Sequence, residues 1–259
     1  MTAAPTGPAA GDGPYGAGVT GAPETPRQAV PDGVPARPAS TVLVVRDGPT
    51  GVEVFMLRRQ PTMAFAAGAL VFPGGGVDPQ DHDPAVPWRG HSAAEWGRTL
   101  GLPASAARAH VCAAVRETFE ECGVLLATPQ DGADPPDPAL LAADRRRLIT
   151  GRTTFGRLLA ARGLVLRSDL LRPWAHFVTP GWYPRRYDTR FFLARLPHRQ
   201  QALHLGGEAA ESRWWTPAEA LAQGLSGEVL LMDPTRMCLE DLVDVGTVAE
   251  LVEAPGARR

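Results

Sequence analysis

The chain contains no lysine: all 26 of its basic residues are arginines. Any phosphate recognised by a side-chain cation must therefore meet a planar guanidinium fork, not an ammonium. There is also little net charge, −2 in all, so no global basic field points to nucleic acid and no acidic bulk points to a solvating chain. Cysteine is scarce. Cys112, Cys122 and Cys238 are odd in number and lack CxxC spacing, which argues against a disulfide framework and a zinc site. Cys112 and Cys122 are expected to be packing residues in a reducing compartment. No apolar run approaches the ~20 residues of a membrane span. The first residues lack a charged-then-apolar leader pattern, and Pro255-Gly256-Ala257-Arg258-Arg259 carries no retention or peroxisomal address. The cytoplasm is the expected location. Residues 1–38 hold 23 Ala, Pro or Gly and no Leu, Ile, Phe or Trp. Such a segment buries too little apolar area to offset its ordering entropy and is expected to be a disordered tail.

From residue 39 to about 250 the pattern is that of one domain. Thr41-Val42-Leu43-Val44-Val45, a run of turn residues, then alternating Val52-Glu53-Val54-Phe55-Met56-Leu57-Arg58 predict a hairpin. Ala69–Phe72 reads as a short strand that runs into a glycine loop, Pro73-Gly74-Gly75-Gly76. A short helix is predicted over Ser92–Leu100 and a longer one over Ala106–Cys122, stopped by Gly123. Further helices are predicted over Ala139–Ile149, Thr154–Arg162, Thr216–Leu221 and Asp233–Val245, and strands over Tyr187–Leu196 and Ser212–Trp215. Short strands alternating with helices argue for a mixed α/β domain.

The densest chemistry is Arg116-Glu117-Thr118-Phe119-Glu120-Glu121-Cys122-Gly123-Val124. Helical spacing projects Glu117, Glu120 and Glu121 into one volume. Alone, such a cluster would read as a solvated helix face. Clustered carboxylates repel, however, and a hard divalent cation relieves that repulsion; Mg²⁺ is usually held by one or two carboxylates plus substrate phosphate oxygens. A glycine-rich turn upstream lets main chain approach the same point.

Together these stretches resemble the Nudix box, Gly-x5-Glu-x7-Arg-Glu-U-x-Glu-Glu-x-Gly-U, with U apolar. The resemblance implies an α/β/α sandwich with a mixed sheet and a metal-dependent hydrolase. It casts Arg116 as the residue that orients Glu117, Glu117 as base or auxiliary ligand, and Glu120 and Glu121 as ligands of Mg²⁺ or Mn²⁺. A carbonyl at Gly74 would complete the metal set, with Gly75 and Gly76 against the substrate. The spacing departs from the family's: Gly75 to Arg116 is 41 positions against 14, an insertion of 27 residues, placed at about 79–106 and partly helical. Counted back from the arginine, the box's earlier glutamate falls on Arg108; Asp78 is an acidic residue just after the turn. A late-loop carboxylate often completes such sites, and Glu208, with Gly206-Gly207 giving its loop reach, is preferred over Glu211.

The split box, with Thr179-Pro180, Pro184–Phe192 and Trp214–Leu221, resembles the peroxisomal coenzyme A diphosphatase branch of the superfamily. The resemblance implies hydrolysis of coenzyme A or acyl-coenzyme A to a phosphopantetheine and adenosine 3′,5′-bisphosphate. Half of another coenzyme A signature is in register: Arg59 and Gly68-x3-Phe72-Pro73-Gly74-Gly75 match, but its second arginine is Ala64. Arg185 and Arg186, with Tyr183, Trp182, Tyr187 and Arg190, could form a pocket for a nucleotide, or an exposed strand with core aromatics on one side. His176 is expected to be a satisfied core histidine. An ADP-sugar or dinucleotide pyrophosphatase stays open, as does a non-catalytic regulator. A small nucleotide-derived substrate is the expected partner, without nucleic acid or membrane; a homodimer is left open.

Overall fold

Alternation along Val42, Leu43, Val44 and Val45 sends buried side chains to both faces of a sheet, and both faces are covered. The computed structural model describes residues 34–60, 67–131, 136, 138–203 and 209–253. Its elements are β1 (Arg37–Gly48), β2 (Gly51–Arg59), β3 (Leu70–Val71), β4 (Gly74–Gly76), β5 (Trp88–Arg89), α1 (Ala93–Leu100), α2 (Ala104–Cys122), β6 (Ala127–Pro129), α3 (Pro138–Ile149) and α4 (Phe155–Ala161). They continue as β7 (Leu164–Arg167), β8 (Leu171–Val178), β9 (Tyr187–Arg195), β10 (Ala209–Trp215), α5 (Pro217–Ser226), α6 (Asp233–Glu240) and α7 (Val248–Glu253).

The main sheet has the order β10-β2-β1-β9-β8, with β3 on β2 and β4 on β1. It is mixed, because β1 and β9 run parallel while the other pairs are antiparallel. One face packs Val42, Val44, Phe55, Leu57 and Phe192 against the α2 stripe Ala107, Val111, Ala114, Val115, Phe119 and Cys122. That spacing is one helix face, and burying a side chain such as Val111 or Phe119 contributes about 1.5–3 kcal/mol. On the other face Leu43, Val45, Val54, Met56 and Leu193 pack with Ala220, Cys238, Leu239 and Leu251 from α5, α6 and α7. The result is the expected α/β/α sandwich. Among the described residues no helix is long and apolar enough to cross a membrane.

The structure corrects several expectations. β1 starts at Arg37, inside the segment expected to be a tail, because Arg37 and Pro38 pair with Tyr187 and Asp188 of β9; residues 1–33 lie outside the described residues. Gly74–Gly76 is a strand and not a loop, in register with Thr41, Ser40 and Ala39. Side chains at Gly74 could not be accommodated there: a Cβ would stand 2.5 Å from the Ser40 carbonyl oxygen. β7, β8 and α7 were not anticipated, α5 runs on to Ser226, and α6 stops at Glu240.

The inserted segment is ordered. Ser92 caps α1 by accepting from the Glu95 N–H while the Glu95 carboxylate accepts from the Ser92 N–H at 2.7 Å. Trp96 of α1 meets Phe192 edge-on at 5.7 Å between centroids. β5 joins β7 and β6 in a second, three-stranded sheet. Arg108 fastens the segment to α2, donating to the Val86 carbonyl at 2.7 Å and lying over the Trp88 ring at 4.5 Å.

Candidate active site

α2 carries its acids at its C-terminal end, which closes on Gly123 in the left-handed conformation (φ 74°). Arg116 is the hub. Its side chain is 2% exposed, and its guanidinium donates to both oxygens of Asp81 at 2.9 and 2.8 Å, to Glu117 Oε1 at 2.7 Å and to the Gly76 carbonyl at 2.9 Å. Glu120 lies 3.5 Å and Asp78 3.7 Å away. Burial alone would lower the Arg116 pKa, but the Asp81 hydrogen bonds and the charges of Glu117, Asp81 and Glu120 outweigh it and hold the guanidinium charged.

Asp81 is the functional residue that counting back from the arginine missed. It sits in a 3₁₀ turn, Pro79–His82, with its side chain 1% exposed. It also accepts from the Asp78 N–H at 2.8 Å. The signal was present on the other side of the box: five residues separate Gly75 from Asp81, the spacing of Gly-x5-Glu. The insertion therefore falls after Asp81, and Arg108, the position expected to lack a carboxylate, is a clip for the inserted segment. Asp78 is the half-exposed outer member of the cluster.

The glycine strand meets the acids directly. The Gly74 N–H donates to Glu121 Oε2 at 2.9 Å. A Cβ on Gly75 would stand 2.5 Å from Glu117 Oε1, so this position has to be glycine for the carboxylate to stay where it is. Burial pushes the Glu117 carboxyl up to about 7, against the pull of Arg116 and with the push of Glu120. Burial likewise raises Glu120.

Among the described residues no three carboxylate, imidazole or thiolate groups stand together so as to hold a metal ion. Glu117, Glu120 and Glu121, expected to converge as ligands, are instead turned to Arg116 and to Gly74. The donor chemistry nevertheless fits a hard divalent ion. One guanidinium faces the four carboxylates of Asp78, Asp81, Glu117 and Glu120, leaving anionic oxygen in excess. Mg²⁺ needs only one or two protein carboxylates when phosphate oxygens supply the rest. Glu120 and Glu121, with Glu117 and a carbonyl at Gly74, are the groups that could hold it.

The remaining expected residues fall in two places. Tyr187 opposes Arg37 two positions beyond the Ala39–Gly76 pair, so the β8–β9 loop projects from the same end of the sheet as the glycines. It exposes Trp182 (73%) and Tyr183 (40%), with ring centroids 6.4 Å apart; Arg185 beside them is exposed. Arg186 is occupied, donating to the Thr179 and Val34 carbonyls at 3.0 and 2.7 Å. Its expected role against substrate is corrected to that of a loop fastener. Arg190 donates to the Leu100 carbonyl at 2.8 Å. His176 is no core residue: it is partly exposed and bonded to Asp188 at 2.7 Å. Arg59 ends β2, where its N–H bonds the Ala69 carbonyl. Ala64 and Glu208 lie outside the described residues. Glu211 is on β10, its carboxylate 3.6 Å from Arg213.

The NUDT19 Nudix domain family matches residues 94–240. The chain belongs to that family. It is 32% identical over 244 residues to the acyl-coenzyme A diphosphatase NUDT19 of Gallus gallus, an alignment covering 78% of this chain and 63% of that protein. The human protein of that name is 29% identical, with 83% and 67% covered. The chain thus spans about two thirds of the length of these relatives. A NUDIX hydrolase from Alicyclobacillus acidocaldarius has a similar structure: TM-score 0.72, 31% identity, 86% of this chain and 97% of that one covered. The matched residues include Arg116, Glu117, Glu120 and Glu121.

Proposed function

We propose that the chain is a divalent-metal-dependent hydrolase that cleaves the pyrophosphate of coenzyme A or an acyl-coenzyme A, releasing a phosphopantetheine and adenosine 3′,5′-bisphosphate. The observation that carries the reading is Glu117. One of its oxygens is fixed by Arg116 at 2.7 Å, and its carboxyl, raised to about 7, is poised to take a proton near neutral pH. In this reading Glu117 Oε2 accepts the proton of the attacking water, while Arg116, tied to Asp81, holds the Glu117 carboxylate in one orientation. Glu120 and Glu121 would hold Mg²⁺ or Mn²⁺, which supplies charge neutralisation to the pyrophosphate oxygens. Glu208 or Glu211 is the candidate second carboxylate.

The substrate class draws support from the similarity to acyl-coenzyme A diphosphatases and from the β8–β9 loop. Trp182 and Tyr183 offer faces on which a purine can stack, and Arg185 offers a fork for phosphate. The test is a panel of coenzyme A, 3′-dephospho-coenzyme A, NADH, ADP-ribose and diadenosine compounds with Mg²⁺ and with Mn²⁺. A charge-assisted phosphate contact contributes about 1.5–3 kcal/mol, so coenzyme A should exceed its dephospho form at least about tenfold in kcat/KM. Preference for ADP-ribose or a dinucleotide would overturn the substrate assignment. Absence of turnover on every compound would overturn the catalytic one.

A further inference from the structure

Behind the catalytic helix, on the side away from its acids, lies a cavity of about 560 Å³, a size typical of small-molecule sites. Helical spacing puts Phe119, Cys122 and Gly123 on this side of α2 and Glu117, Glu120 and Glu121 on the other. Phe119, Leu125, Leu141 and Ala142 give it apolar walls; among the described residues no carboxylate lines it, and Arg145 and Arg199 are its guanidinium groups.

Arg145 is 3% exposed. It donates to the Glu120 carbonyl at 2.9 Å and to the Leu203 carbonyl at 2.7 Å, and among the described residues its second terminal nitrogen has no hydrogen-bond partner. No carboxylate lies within ion-pair distance of it among the described residues. Glu120 and Glu121 act on it only from beyond ion-pair distance, and a buried guanidinium with no carboxylate in contact is costly. Arg199, at the same cavity, holds a left-handed backbone (φ 64°) that non-glycine residues seldom adopt, a strain that tends to gather at ligand sites.

We propose that this cavity binds a small amphipathic monoanion: an aliphatic chain of medium length along Phe119, Leu125 and Leu141, with a single carboxylate drawn to Arg145 and Arg199. The site is separate from the pyrophosphate site and does not depend on the chain's catalytic reading. Burial that depresses the Arg145 pKa is relieved when the carboxylate arrives.

Octanoate is the probe, titrated calorimetrically into the full chain, with octanol as its uncharged counterpart. Octanoate should bind saturably and at least about tenfold more tightly than octanol, as expected for a charge-assisted head group. Arg145→Leu should remove that preference. Should that variant fail to fold, Ala142→Phe fills the cavity while leaving the Arg145 hydrogen bonds in place, and it should abolish octanoate binding. Glu120→Gln, on the catalytic face, should bind octanoate as the unmodified chain does. Equal binding of octanoate and octanol, unchanged binding in Ala142→Phe, or loss of binding in Glu120→Gln overturns the proposal.

Discussion

Asp81→Asn keeps the shape of a buried side chain and removes its charge. In the folded chain Asp81 gives Arg116 two hydrogen bonds, at 2.9 and 2.8 Å, with both side chains at most 2% exposed. Removing one partner of a buried pair typically costs about 3–5 kcal/mol, since the other charge is left uncompensated. Arg116 keeps Glu117, Glu120 and the Gly76 carbonyl as partners, so the lower end, about 3 kcal/mol, is expected. At roughly 2–4 °C per kcal/mol for a domain of this size, the melting temperature should fall by about 6–12 °C. Freed from Asp81, the guanidinium should also draw Glu117 and Glu120 toward itself, and kcat should drop with little change in KM. Asp78→Asn is the internal control. Its carboxylate is 53% exposed and 3.7 Å away, so the change should stay within about 0.5 kcal/mol. Denaturant titration and steady-state kinetics on both variants decide the matter. If Asp81→Asn matched Asp78→Asn in both measurements, Asp81 would not be the group that holds Arg116.

Glu120→Gln and Glu121→Gln should each cut turnover by orders of magnitude while leaving stability equal or higher without metal, because like charges on one helix turn repel; near-normal rates at saturating Mg²⁺ would remove the metal assignment. In Gly75→Ala the new Cβ, 2.5 Å from Glu117 Oε1, should displace the end of a flexible side chain and not the backbone. Activity should fall at least about tenfold with less than about 1 kcal/mol lost in stability, and unchanged kcat would contradict the packing of β4 on α2. His110 is buried against Ser40 at 3.1 Å, and burial followed by the Arg190 charge lowers its pKa from 6.5 to about 4. The fold therefore favours the neutral ring. This contribution is complete above pH 6.5 and is lost as the pH falls through about 4, amounting to about 3 kcal/mol at 1.36 kcal/mol per unit. Unfolding free energies between pH 7 and pH 4 should fall more steeply for the unmodified chain than for His110→Gln; parallel curves would refute the assignment.

The parts legible in the sequence were those whose signal is local. The β1–β2 hairpin followed from alternation and a turn, and the end of α2 from Gly123. What escaped was set by distant partners. β8 contains Pro173, where its pairing with β9 slips, and its apolar alternation is broken there. Gly74–Gly76 has the composition of a loop and becomes a strand because β1 lies open beside it. Asp81 looked like one more acid in a Pro- and Asp-rich stretch; only the fold brings it to Arg116 across 34 intervening residues. Arg186 read as a phosphate ligand because its carbonyl partners, Thr179 and Val34, leave no mark in composition.

The ordered insertion also bears on how freely this family can change length. Closing a loop of 34 residues between Asp81 and Arg116, where the box closes one of seven, adds only about 1.4 kcal/mol of chain entropy by the logarithmic rule. So long as the 3₁₀ turn at Pro79–His82 and the start of α2 at Ala104 keep their places, the stretch between them is a port. Segments of other lengths could fill it while Arg116 remains anchored to Asp81.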